Sequence, residues 1–220
     1  MKIGILGTGE VGRALAPALD TAGHRVTIGT RDPLASPRTR PELRALLDTC
    51  PTVRLATFAE AAAGADVVVN ALPGTLCVEL LTCLAGDIGG SIVMDISSPF
   101  DGNADGAVLD PVNTDSLGEQ IQRALPEARV VKTLNTMAAA LMRDPALAGS
   151  TDQTVFTSGD HAGAKETVAH LLQDLGWRDI IDLGPIHTAR APEMLLRMWI
   201  DLYKALGTDH FGFKVVRPAP

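Results

Sequence analysis

The stretch Lys2-Ile3-Gly4-Ile5-Leu6, followed at once by Gly7-Thr8-Gly9-Glu10-Val11-Gly12, constrains this chain more than any other. A short apolar, β-rich run ends in a Gly-x-Gly-x-x-Gly loop, and residues 10–22 then read as a helix that stops at Gly23. Each glycine has a physical reason. Gly7 permits a tight turn, Gly9 leaves room for a ligand against the backbone, and Gly12 lets the helix pack closely on the strand. The free N–H groups and the dipole at the helix start favour an anion. Strand, glycine loop and helix in that order are the context in which the pattern cradles a dinucleotide diphosphate. Pro17 inside the helix predicts a kink or a late helix start.

The rest of the chain repeats the alternation. Strands are predicted at 25–28, 53–56, 66–72, 91–96, 129–133, 154–158 and 179–183, and helices at 41–48, 58–63, 75–84, 161–175 and 191–206, with another opening at Ser116. Thr57 with Glu60 has the spacing of a helix-capping box, and Ser116 with Glu119 marks the other start. Residues 66–72 are almost wholly apolar, as a parallel strand buried on both faces should be. Residues 97–113, rich in Pro, Gly, Asp and Asn, read as loop. In the last helix Leu195, Met198, Trp199, Leu202 and Leu206 share a face, which predicts core or interface packing, and Gly207 is its stop. The expected fold is α/β: a Rossmann-type doubly wound, mostly parallel sheet with a small C-terminal α/β extension. We expect a dinucleotide-binding domain over 1–136, and a part over 137–220 that completes an acceptor site and a dimer interface. At 220 residues and 46% hydrophobic, the chain can bury such a core without staples.

In this fold ligands bind beyond the carboxyl ends of the strands, so the residues there are the candidates. The glycine loop supplies Gly7, Thr8, Gly9, Glu10, Val11 and Gly12. After the second strand the chain reads Thr30-Arg31-Asp32. A site for NAD places a carboxylate there to grip the ribose hydroxyls, whereas Thr30 and Arg31 suit the 2′-phosphate of NADP(H). Asp32 either addresses a ribose or caps the next turn. Arg38 and Arg40 read as solvated loop charges, with added positive potential near the 2′-phosphate as the alternative. Leu72, Pro73 and Ser97 end later strands and would line a dry slot for a flat ring. Asn135 either orients a carboxamide or ring carbonyl, or bonds its own turn. Lys132 is read as a strand-end lysine reaching solvent, with proton donor as the alternative. His24, His161, His170, His187 and His210 show no acid–base partner in sequence. A site so poor in acid–base groups suits hydride exchange between two cofactors, where orientation does most of the work.

Other features exclude whole classes. A net charge of −7 argues against a nucleic-acid partner. No stretch approaches the roughly 20 apolar residues of a membrane helix. Cys50, Cys77 and Cys83 match no zinc spacing and read as reduced thiols. Met1 leads directly into the first strand, and with the thiols this gives a cytoplasmic expectation.

These segments carry a resemblance. The chain resembles the NADPH:F420 oxidoreductases and is similar to the reductase domain of the STEAP metalloreductases. The matching stretches are residues 2–12, Gly29-Thr30-Arg31, residues 131–139 and Asp182-Leu183-Gly184-Pro185 with the segment to Val216. The resemblance implies Thr8 to Val11 at the pyrophosphate, Thr30 and Arg31 at the 2′-phosphate, and the backbone of Met137, Ala138 and Ala139 at the nicotinamide amide. It departs at Asn135, where the deazaflavin enzymes carry a histidine and the flavin-linked branch looks closer, and over 100–113, where no F420-binding residue matches. It implies an NADP-dependent oxidoreductase whose partner is a small-molecule electron acceptor, F420 or a flavin, and a homodimer. The alternatives are a reductase of a small imine or carbonyl, and a non-catalytic NADP-binding regulator.

Overall fold

The computed structural model describes residues 1–100 and 108–218. Short runs of β-branched residues build the sheet. The first six strands are β1 (Lys2–Leu6), β2 (Arg25–Thr30), β3 (Arg54–Thr57), β4 (Val67–Asn70), β5 (Ile92–Asp95) and β6 (Arg129–Thr133). They run parallel in the order β3-β2-β1-β4-β5-β6. β7 (Thr154–Ser158) then pairs antiparallel with β6, and β8 (Asp179–Asp182) parallel with β7. The doubly wound, mostly parallel sheet is as expected, and it runs across position 136 without a break.

Helices cover both faces. They are α1 (Glu10–Thr21), α2 (Ser36–Thr39), α3 (Pro41–Thr49), α4 (Phe58–Ala62), α5 (Gly74–Cys83), α6 (Ala85–Ile88), α7 (Leu117–Ala124), α8 (Ala139–Arg143), α9 (Ala162–Asp174) and α10 (Arg190–Leu206). Alternate strand residues face opposite layers. Ile3, Ile5, Val67 and Val69 pack with Leu15 and Leu19 of α1 and Leu171 of α9. Leu6, Val68, Val93 and Val130 pack with α4, α5 and α7 on the other side. The Thr57–Glu60 capping box forms as predicted, and Ser116 caps α7.

α1 keeps its predicted start in spite of Pro17, whereas α10 buries a face other than the predicted stripe. α1 begins at Glu10 and carries Pro17 in its interior. The first turn closes ahead of the proline, with Arg13 N–H donating to the Gly9 carbonyl at 3.1 Å. Burial of Leu15, Ala16 and Leu19 offsets the lost backbone bond. In α10 the buried face is Pro192, Glu193, Leu196 and Ile200, not the predicted stripe. Met198 and Leu206 of that stripe are exposed, so it is not core packing of a single chain.

The C-terminal tail is strapped along β7. Thr154 N–H donates to the Phe213 carbonyl at 2.8 Å, and Val215 N–H to Thr154 Oγ1 at 2.9 Å. Asp179 anchors the strap, accepting from Thr154 Oγ1 and pairing with Lys214 and Arg217. The Thr154 hydrogen bond, then those of Lys214 and Arg217, hold the Asp179 carboxyl down at about 2 against burial that would raise it. A depressed carboxylate pKa stabilises the fold above the unfolded value near 4, and that contribution disappears as pH falls towards 2. Asp179→Asn should therefore cost about 1–2 kcal/mol at pH 7 and almost nothing near pH 2. Denaturant melts of both proteins across this pH range measure the convergence.

Candidate active site

The sheet reverses its direction of winding between β1 and β4, and the loops leaving these strands part to leave a crevice. Backbone geometry at the glycine loop shows what each glycine does. Gly7 sits at φ +123°, and a Cβ there would lie 2.6 Å from the Ala71 carbonyl oxygen. A Cβ on Gly12 would lie 2.2 Å from the Gly7 carbonyl oxygen. Both glycines are thus needed by the fold. Gly9 has no atom within 4 Å of its would-be Cβ, and its φ of −70° is ordinary. Its lack of a side chain serves only the space in front of α1, whose first turn has no side-chain cap.

That space opens into a cleft of about 770 Å³, a size typical of cofactor sites. Of the residues singled out in sequence, Gly7, Thr8, Gly9, Glu10, Val11, Thr30, Arg31, Leu72, Pro73, Ser97, Asn135, Met137 and Ala139 line it. Gly12 lies behind the loop as a packing residue, and Ala138 stands just before α8, off the wall.

One end of the cleft is basic. Arg31 is exposed there, and Thr30 Oγ1 hydrogen-bonds Ser36 Oγ at 2.7 Å. Asp32 turns away from the cleft, its Oδ1 accepting from Leu34 N–H and Ala35 N–H at 2.9 Å each. It caps the turn, so its carboxylate is committed elsewhere. Arg40 corrects the sequence reading: it is no solvated loop charge, but lines the cleft and donates to Thr8 Oγ1 at 2.5 Å. Arg38 is exposed in α2 and lies off the wall.

The other end is apolar, formed by Leu72, Leu76, Leu80 and Met137 with Leu196 and Trp199 of α10. The β6 loop turns through Leu134, a buried residue at φ +58°, strained for a branched side chain. That turn delivers Asn135, whose Nδ2 donates to the Pro192 carbonyl at 2.8 Å, not to its own turn. Lys132 does not reach solvent. It is fully buried, with Nζ donating to Asp95 Oδ2 (2.9 Å), Glu193 Oε1 (2.9 Å) and the Ser97 carbonyl (2.5 Å). Burial alone would lower its pKa, but the two carboxylates outweigh it and push it up to about 12. Asp95 Oδ1 in turn accepts from Asn70 Nδ2 (2.8 Å) and from Ser97 N–H (3.0 Å) and Oγ (2.7 Å). His187 is exposed in the 3₁₀ turn Ile186–Ala189, and no histidine lines the cleft.

Asp95, Glu193, Leu196 and Trp199 were missed as site residues in sequence, and Arg40 was read chiefly as a solvated charge. A signal existed for the first. Asn70, Asp95 and Lys132 are each a polar residue at or near the end of an apolar strand, and in the sheet they pair in register.

A diphosphate cradle, a basic ribose end and an apolar ring end at the carboxyl edge of such a sheet define a Rossmann-type nicotinamide-dependent oxidoreductase. Residues 2–99 match the family described as NADP oxidoreductase, coenzyme F420-dependent. A crystal structure of a candidate F420-dependent NADP-reductase from Arthrobacter sp. FB24 is 54% identical, superposes with a TM-score of 0.95, and covers 99% of this chain and 100% of that one. The F420-dependent NADP reductase of Methanothermobacter marburgensis is 28% identical over 208 residues, 92% of each chain. Metalloreductase STEAP3 of Rattus norvegicus is 28% identical over 196 residues, 88% of this chain and 36% of that longer protein. The chain belongs to the F420-dependent NADP reductase family and is an NADP-dependent oxidoreductase.

The glycine geometry separates folding from binding. Gly9→Val should keep the melting temperature within a few degrees and abolish NADPH binding, because the valine occupies only the space of the diphosphate. Calorimetric titration beside a thermal melt checks both halves, and NADPH affinity retained in the folded variant would relocate the site.

Proposed function

We propose that this enzyme exchanges hydride between NADPH and the deazaflavin F420, with a flavin as the other acceptor left open by Asn135. The observation that carries the reading is that Lys132, the buried cationic acid nearest the ring end, is fully engaged, and that the other polar residues on that wall, Ser98 and Glu79, include no lysine or histidine. All three N–H bonds of Lys132 are spent, on Asp95, Glu193 and the Ser97 carbonyl. Ser97 gives its own hydroxyl proton to Asp95. Asn135 gives an amide proton to Pro192. A carbonyl or imine reductase must deliver a proton with its hydride, usually from a positioned acid. Transfer between two rings places the hydride with its electron pair on the acceptor ring and leaves oxidised nicotinamide, while the balancing proton goes to a ring nitrogen that water can protonate, so no positioned acid is required.

The residues would divide the work as follows. Gly7 to Val11 and the start of α1 hold the diphosphate. Thr30, Arg31 and Arg40 bind the 2′-phosphate, and the withdrawal of Asp32 removes the carboxylate that would repel it. Leu72, Pro73, Ser97, Asn135 and the backbone at Met137 to Ala139 hold the nicotinamide, with Leu196 and Trp199 beside the acceptor. Water is excluded from this end by the apolar walls.

We also infer a homodimer. Met194 (38%), Met198 (54%), Tyr203 (45%) and Leu206 (56%) leave a row of exposed large apolar side chains along α10, which a second copy would cover. The free cysteines fit a reducing, cytoplasmic setting.

Four measurements test these readings. Arg31→Ala should weaken NADPH by about 1–3 kcal/mol, the scale of a lost charge-assisted hydrogen bond, and leave NADH nearly unchanged. With NADPH deuterated stereospecifically at the transferred position, the label should appear on the ring carbon of reduced F420. Turnover of an imine or ketone panel but of neither F420 nor flavin would replace the proposal, and tight NADP binding without any turnover would make the chain a regulator. Light scattering should give about twice the 23.1 kDa chain mass, and Met198→Glu should halve it.

A further inference from the structure

We infer that the buried Lys132–Glu193 pair is a positioning pair that sets how closely α10 closes over the acceptor half of the cleft. The inference rests on the reading of Leu196 and Trp199 as the acceptor wall. Both follow Glu193 on α10, one and nearly two turns on, and both line the cleft. Ser97 also lines the cleft, and its carbonyl accepts from the same Nζ that holds Glu193. One ammonium group therefore links a cleft-wall residue to the helix turn that precedes Leu196 and Trp199.

The seating of α10 depends on this point for physical reasons. Glu193 is buried, and its Oε2 and Oε1 also accept from Leu117 N–H (2.8 Å) and Gly118 N–H (3.1 Å) at the start of α7. An isolated buried carboxylate would be expelled towards water, so its partners hold it at one depth. Asn135 ties Pro192, the neighbouring residue, and Arg190 pairs with Glu119 of α7 through Nε and Nη2. These ties all lie in the first turn. Further along, Ile200 is buried and Trp199 packs on Phe211, while Met198, Tyr203 and Leu206 are exposed in the single chain. Trp199 shows the consequence: its indole ring stacks on Tyr203 and Phe211, while its buried Nε1 has no hydrogen-bond partner among the described residues. Packing, and not a bond of its own, keeps it at the cleft wall. The diphosphate and 2′-phosphate subsites lie on α1 and β2, outside this arrangement.

Glu193→Gln keeps the shape and removes the charge. Trp177 is wholly buried, so Trp199 is the tryptophan that a quencher in solution can reach. Iodide quenching should rise about twofold in Glu193→Gln, and the quenchable fraction should vanish in Trp199→Phe. In steady-state assays with F420, the KM for F420 should rise about tenfold, kcat should stay within threefold, and the dissociation constant of NADPH within twofold. Glu193→Asp, which keeps the charge one methylene shorter, should fall between the two and remains measurable if the glutamine variant does not fold. Asp66→Ala, which removes the carboxylate that accepts from Lys2 N–H at the opposite edge of the sheet, is the destabilised control and should change neither quenching nor KM. Unchanged quenching and KM in both Glu193 variants would overturn the inference. So would an NADPH affinity that weakens as much as the KM for F420, because that marks general loosening. If the unmutated chain reduces neither F420 nor a flavin, the functional reading fails while the quenching measurement still decides the seating of α10.

Discussion

One buried ammonium group holds the centre of this protein together. Lys132 on β6 reaches Asp95 on β5 and Glu193 on α10, and the carbonyl of Ser97 completes its shell. Removing such a charge from water costs several kcal/mol unless its partners are in place, so the cluster tolerates one register of these elements and no other. Two carboxylates against one ammonium leave a net negative charge. Donors from Asn70, from Ser97 and from the start of α7 spread it out. Burial pushes the Glu193 carboxyl up, against the pull of Lys132. The carboxyl ends of β4, β5 and β6 are thereby levelled where the cleft loops leave the sheet.

The same economy marks the rest of the cleft. Near the apolar end Lys132, Asp95, Ser97 and Asn135 are engaged with one another or with backbone carbonyls. The basic end is open: Arg31 is exposed, and Arg40 rests on the Thr8 hydroxyl, a contact that a phosphate can replace. In the proposed reading, selectivity for NADP over NAD would arise as much from a carboxylate engaged elsewhere as from cations added. Asp32 stands only two positions past Thr30, yet the turn after β2 consumes its oxygen in capping Leu34 and Ala35. Charge is thus segregated along the cleft, with basic side chains at one end and apolar ones at the other.

Much of this was legible in the sequence because it depends on local rules. The order of strands and helices follows from alternating apolar periodicity. The glycine loop follows from steric limits that act within a few residues, seen in the approach of the Gly7 and Gly12 positions to backbone carbonyls. The Thr57–Glu60 box and the Ser116 cap are likewise local hydrogen-bond patterns. Residues that end a parallel strand must lie at one edge of the sheet, which is why Thr30, Leu72, Ser97 and Asn135 were found from their positions alone.

What only the tertiary structure decided is everything that joins residues distant in the chain. Lys132 and Glu193 are 61 positions apart, and nothing in either segment says that a lysine between valine and threonine meets a glutamate on the last helix. Arg40 reaches Thr8 only because α2 and the start of α3 fold back towards the glycine loop. The rotation of α10 belongs here too. Its apolar stripe suggested one buried face, but the ties of Pro192 and Glu193 turn another face inward and leave Met198 and Leu206 outside. Hydrophobic periodicity reports how much apolar surface a helix carries. Buried charges, which cannot stay unpaired, decide which way that helix turns.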